Sequence, residues 1–118
     1  MPLADANVLT VTIANGQSLS GSAKIGAGTL VGIVLPTFTS AALTFQGSVD
    51  DSTFVEIVDA SNTAVSFTAT TGAIYIKAPA DLVGVPYLKI RSGTSGAAVA
   101  QGAARTITLP RLANDGCR

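Results

Sequence analysis

Seven carboxylates, Asp5, Asp50, Asp51, Glu56, Asp59, Asp81 and Asp115, are the acid–base candidates of this chain, because it contains no histidine. Two of them could work as a glycosidase pair, one protonating the leaving group while the other attacks or activates water. Asp50-Asp51 is the strongest local pair. Adjacent acids followed by Ser52 are also what a tight turn asks for, since an Asp side chain accepts hydrogen bonds from backbone N–H groups just downstream. We therefore expect a turn there, and neither a catalytic nor a metal pair. Calcium would need oxygens from Asp50, Asp51 and Asp59 to meet across two turns, and EF-hand spacing is absent. Without imidazole there is no Ser-His or Cys-His activation and none of the commonest zinc ligand. Gly26-Ala27-Gly28 precedes a strand-like run, with no Gly-Lys-Ser or Gly-Lys-Thr after it, so a phosphate loop is not expected. The lone Cys117 can form no intrachain disulfide. These residues predict a protein that is not an enzyme and uses no cofactor.

Binding chemistry is also sparse. Sugar-binding sandwiches present aromatic platforms, and here Trp is absent and Tyr75 and Tyr87 are the two tyrosines. Tyr87, Lys89 and Arg91 alternate along one run, a mixed aromatic and cationic stripe of the type found at protein interfaces. Seven basic residues balance seven acidic ones without clustering, which argues against nucleic acid and against an anionic membrane surface. The most apolar stretch, residues 30–35, is far shorter than the ~20 residues that span a bilayer. The first seven residues have neither the basic nor the apolar region of a signal peptide.

The elements that would position these residues are strands. Short runs rich in Val, Ile, Thr and Phe are bounded by Gly, Ser, Asn, Asp or Pro, and no segment has helical length and periodicity. Leu9, Val11 and Ile13 share one face of the first run, which ends at Asn15-Gly16. Residues 17–24 suit a weak edge strand, and residues 29–35 a central strand apolar on both faces, whose second face needs a cover from a loop, the N-terminal arm or another subunit. Leu43, Phe45, Gly47 and Val49 alternate with Thr44, Gln46 and Ser48, then Asp50-Asp51-Ser52 turns into the run 53–58 as a hairpin. Val65 with Phe67, and then residues 73–77, continue the meander, and residues 79–84 allow one helical turn stopped by Gly84. Leu88 and Ile90 are expected buried, with Tyr87, Lys89 and Arg91 exposed. Residues 92–104, rich in Gly and Ala, read as a mobile loop or a weak edge strand around Val99, and residues 105–109 as the last strand, ended by Pro110. The prediction is an all-β, antiparallel β-sandwich of about eight to ten short strands. It occupies residues 8–110, between an arm at 1–7 and a tail at 111–118.

The segment from Ala42 through Leu43-Thr44-Phe45-Gln46-Gly47-Ser48-Val49-Asp50, followed later by Tyr87-Leu88-Lys89-Ile90-Arg91-Ser92 and Arg105-Thr106-Ile107-Thr108-Leu109, resembles small virion proteins of tailed bacteriophages. That resemblance implies a jelly-roll-like sandwich and a capsid decoration, or cement, protein, commonly a homotrimer. Its partner would be the major capsid protein and its place the capsid surface, after synthesis in the host bacterial cytoplasm. The alternative within the same resemblance is a tail or fibre domain that binds a receptor or carbohydrate. The residues expected to touch a neighbouring protein are Pro2, Leu3 and Val8 of the arm and Tyr87, Lys89 and Arg91 of the stripe. The loop 92–104 could order against the same partner.

Overall fold

A computed structural model describes residues 6–26, 29–39, 41–69, 72–77, 82 and 84–112. Among these residues eleven strands follow one another: β1 (Ala6–Ile13), β2 (Ala23–Lys24), β3 (Thr29–Leu30), β4 (Gly32–Leu35), β5 (Ala41–Ser48), β6 (Val55–Glu56), β7 (Phe67–Ala69), β8 (Ile74–Lys77), β9 (Tyr87–Thr94), β10 (Ala97–Ala98) and β11 (Arg105–Leu112). No α-helix occurs among the described residues, and Leu82 alone has a 3-10 helical conformation. The all-β antiparallel sandwich expected from the alternation is the observed architecture, and the additional strands are two-residue pieces at its margins.

The first sheet runs β1-β11-β4-β8, with β3 also on β11. The second runs β10-β9-β5-β6, with β2 on β9 and β7 on β5. Two long ladders form the spines: β1 pairs with β11 over eight residues from Ala6↔Leu112 to Ile13↔Arg105, and β5 pairs with β9 over six from Leu43↔Ser92 to Ser48↔Tyr87. Alternation then dictates the core. Val11, Ile13, Ile33, Leu35, Ile107 and Leu109 face inward from the first sheet and meet Leu43, Phe45, Leu88 and Ile90 of the second in one buried cluster. Each such aliphatic side chain contributes about 1.5–3 kcal/mol relative to exposure. Phe45 and Phe67 pack edge to face, centroids 5.6 Å apart.

Several local expectations are corrected. The run 29–35 is two strands, because its register on β11 slips by one residue between Leu30↔Arg111 and Val34↔Thr108, after Val31 has donated its N–H to the Pro110 carbonyl. Its outer face is covered within the chain at Gly32, where an added Cβ would lie 2.7 Å from Cε1 of Tyr75. The last strand passes through Pro110 and ends at Leu112: proline has no N–H to give the ladder, yet its carbonyl still accepts from Val31. The first strand begins at Ala6 and pairs with β11. Val49, expected to continue the inward face of β5, is 84% exposed, since the strand stops at Ser48 and the turn carries Val49 outward.

The segment after β9 is also better anchored than a loose loop. Ser95-Gly96 turns the chain so that β10 pairs back on Gly93 and Thr94, and Val99 donates to the Ser92 carbonyl. Gln101, 1% exposed, then fixes it: its Oε1 accepts from Thr39 N–H at 2.8 Å and from Arg105 Nε at 3.0 Å, and its Nε2 donates to Ser92 Oγ at 2.8 Å. Most of the helical turn expected at 79–84 lies outside the described residues; Leu82 is buried and Gly84 has φ +87°.

Candidate protein-contact site

The Asp50 turn is built by its own side chains. Asp50 Oδ1 accepts from Ser52 N–H at 2.9 Å, Thr53 N–H at 3.0 Å and Ser48 Oγ at 2.8 Å. These donors hold the Asp50 carboxyl below its ordinary value, the Thr53 N–H contributing most. Asp51 follows at φ +60°, a left-handed position that Asp tolerates. Asp59 closes the next turn in the same way, its Oδ1 accepting from Ser61 and Thr63 N–H. Among the described residues, no three His, Cys, Asp or Glu side chains are placed to hold a metal ion.

The expected stripe on β9 shares one outward face, yet it is not a free surface. Arg91 is buried: its Nε donates to Thr44 Oγ1 at 2.9 Å and its Nη2 pairs with Glu56 Oε1 at 2.5 Å. Thr44 in turn donates to the Gly93 carbonyl at 2.7 Å. Lys89 lies with Nζ 4.4 Å from the Phe54 ring centroid, a cation–π contact within the chain. Tyr87 is half-buried. The exposure expected for Arg91 is thus corrected, because β6 brings a carboxylate onto the same face. Tyr75 sits on the first sheet and Tyr87 on the second, so the two tyrosines form no joint platform. Pro2 and Leu3 lie outside the described residues, and Val8 is exposed on the edge strand β1.

A different site stands at the end of the sandwich where β5 and β6 join. Here the β5–β6 hairpin and the segment leading into β9 border a groove of about 380 Å³, lined by Gly47, Val49, Asp50, Val55, Val85 and Pro86 among others. Gly47 makes it possible. A Cβ there would lie 2.9 Å from Val85 Cγ1 and 3.2 Å from Ile57, so the bare backbone lets Val85 settle on the hairpin. Pro86 is held in place as its carbonyl accepts from the N–H groups of Ile25 at 2.8 Å and Gly26 at 3.0 Å. Val49 and Val55, at 84% and 63% exposure, stand open on the rim. Asp50 is already committed to its turn, which leaves an apolar slot suited to aliphatic side chains of another protein. Burying both valines would contribute about 1.5–3 kcal/mol each before the entropy of association is subtracted. Sequence reading missed this groove because Val85 and Gly47 are distant in the chain; a valine placed directly before Asp50-Asp51 was its one local signal.

No protein-family model matches the sequence, and no curated protein is similar to it. Among solved structures, the SPBc2 prophage-derived protein YomS is similar over 96% of this chain and 99% of its own, with a TM-score of 0.55 and 10% identity. The Yersinia pseudotuberculosis-derived mitogen is similar over 98% of this chain and 92% of its own, with a TM-score of 0.42 and 12% identity. The likeness to YomS, at that identity, is one of fold from end to end.

Proposed function

We propose that this chain is a structural protein of a bacteriophage virion, one that coats the capsid and cements it by bridging neighbouring capsid subunits. The observation that carries the reading is the apolar groove with Val49 and Val55 exposed on its rim. A slot of that composition suits a protein segment better than a sugar, which would call for stacking rings and a fan of free polar groups. The phage setting is supported by the end-to-end fold likeness to a prophage-derived protein and by the strand motifs that resemble small virion proteins. A cement protein that binds only the assembled lattice stabilises it by linkage, because rupture must first release the bound protein. Chemistry at a reactive centre plays no part in this role.

The test is to prepare particles of the encoding phage with and without the protein and to heat both. Genome release at a lower temperature from the depleted particles is expected, together with unchanged adsorption to host cells. Equal release temperatures combined with lost adsorption would overturn the proposal and assign the groove to a tail or fibre receptor-binding domain.

A further inference from the structure

β1 is an edge strand, and among the described residues β11 is its one partner in the first sheet. Residues 17–25, which follow it, run back along β9 in the other sheet, with Ser20 N–H donating to the Ile90 carbonyl and Ile25 N–H to the Pro86 carbonyl. Pro110 shows which way the backbone of β1 points. Its carbonyl accepts from Val31, on the side away from β1, and Val8 stands opposite it. Hydrogen-bonded and open pairs alternate along an antiparallel ladder. Leu9 and Val11 therefore exchange bonds with Leu109 and Ile107, while Val8, Thr10 and Thr12 turn their N–H and C=O groups to the free edge. No other described residue makes a backbone hydrogen bond to those groups.

Folded proteins guard such an edge by shortness, charge or proline. The other margins conform: β2, β6 and β10 have two residues each, and β8 has four, with Lys77 at its end. β1 has eight residues and neither a charge nor a proline. The core is also less closed here, since Leu9 is half-buried while Val11 and Ile13, on the same inward face, are buried.

We propose that the free edge of β1 is a second capsid contact, one that takes an extended segment of a neighbouring subunit as an added strand. This rests on the capsid role proposed above and supplies what that role requires. Bridging two subunits needs two separate contacts, and the groove is one of them. β1 lies against β2, at one margin of the second sheet, whereas β6 and the groove rim stand at the other, beyond β9 and β5. The two contacts can therefore engage different neighbours. Backbone pairing gives the added strand its affinity, and side chains select it. The incoming segment must lack proline at the pairing positions and be uncharged and aliphatic on the side that comes down beside Leu9, where a charge would be buried unpaired. A second copy is the poorer occupant. The edge of a strand about 26 Å long and about 10 Å deep covers roughly 500 Å² counted on both partners, half of what two free proteins need to hold each other. A segment fixed on the capsid next to an occupied groove escapes that limit, because the second contact forms at high effective concentration.

The test is cosedimentation of the purified full chain with particles of the encoding phage depleted of it, read by affinity and by hydrogen exchange. Binding of the wild type should slow exchange at the Val8, Thr10 and Thr12 amides at least about tenfold relative to the free chain, in which these N–H groups meet water. Thr10→Pro deletes an N–H that β11 does not use, so circular dichroism should be unchanged while affinity falls at least about tenfold. Thr10→Val keeps the N–H and should bind as the wild type does. If Thr10→Pro does not fold, the amide exchange decides alone. Wild-type binding that leaves those amides as fast as in the free chain, or undiminished binding by a folded Thr10→Pro, would overturn the strand addition and leave the capsid role standing. Slowed exchange at the same amides in the concentrated free chain, with a doubled mass by light scattering, would give the edge to a second copy and overturn it as well. Absence of wild-type binding would overturn the capsid role itself, and the inference with it.

Discussion

Arg91 reaches across the whole width of β5 to Glu56. The two residues belong to β9 and β6, yet Nη2 and Oε1 lie 2.5 Å apart, with Thr44 of the intervening strand accepting from Nε. Three strands are thereby tied on the face away from the core. Removing one partner strands the other in a poorly hydrated position, which costs more than the intact pair contributes. Glu56→Ala should therefore lower stability by about 1–3 kcal/mol, and Arg91→Met combined with Glu56→Leu by less than Glu56→Ala alone. Urea unfolding of Glu56→Ala and of the double variant measures this. A double variant that loses as much stability as Glu56→Ala would contradict it.

Asp50 makes the hairpin turn sensitive to acid. Its folded pKa is lowered by the Thr53 and Ser52 N–H groups and by Ser48, from an ordinary value of 3.8. A depressed carboxyl stabilises the fold fully above its unfolded pKa and loses that contribution as pH falls through the folded one. The wild type should consequently melt above Asp50→Asn at pH 7, and the gap should close as pH is taken below 3.8. Thermal melts of both proteins across that range decide it; a gap that widens in acid would be the contrary result.

Gly93 cannot be replaced. Its φ is +93°, and a Cβ would lie 2.4 Å from the Ala97 carbonyl oxygen and 2.7 Å from the Val99 nitrogen, both backbone atoms of the β10 return. Nothing flexible can yield there. Gly93→Ala should destabilise by more than about 3 kcal/mol. It should also raise hydrogen exchange at Val99 and Gln101, whose N–H groups bond to Ser92 and Gln17. Exchange rates equal to wild type at those two amides would show that the return does not depend on Gly93.

The groove predicts a separation of stability from binding. Val49→Asp and Val55→Asp alter rim side chains that the fold leaves open, so melting temperatures should move little. Association with particles should weaken about tenfold or more, since a charge is then desolvated against an apolar contact. Because the chain carries no net charge, raising salt about tenfold should change wild-type binding only slightly. Cosedimentation with depleted particles measures each arm.

Much of the fold is legible in the sequence because strand alternation is a local signal. Leu9, Val11 and Ile13, or Leu88 and Ile90, declare their inward face by spacing alone, and Asp50-Asp51-Ser52 declares its turn by chemistry. What could not be read depends on pairing between distant strands. Arg91 looks exposed until β6 delivers Glu56 beside it, and Val49 looks inward until the end of β5 is known. Gln101 sits in a bland Gly/Ala stretch, and only the approach of Thr39, Ser92 and Arg105 makes its amide indispensable. The groove needs Gly47, Val85 and Pro86 to converge, so it belongs to topology and not to any motif.

The antiparallel union of β1 with β11 sets how the molecule can bear load. Ala6 lies opposite Leu112, so the chain enters and leaves the first sheet side by side at one pole. A pull applied through those two ends would open the ladder like a zipper, loading one hydrogen-bonded pair at a time, from Ala6↔Leu112 toward Ile13↔Arg105. The same force entering through the broad surfaces of the sheets would be shared by every rung at once. In the proposed capsid role, a shell swelling beneath this protein would meet firm resistance if it gripped the flanks and would peel the protein open if it gripped the ends.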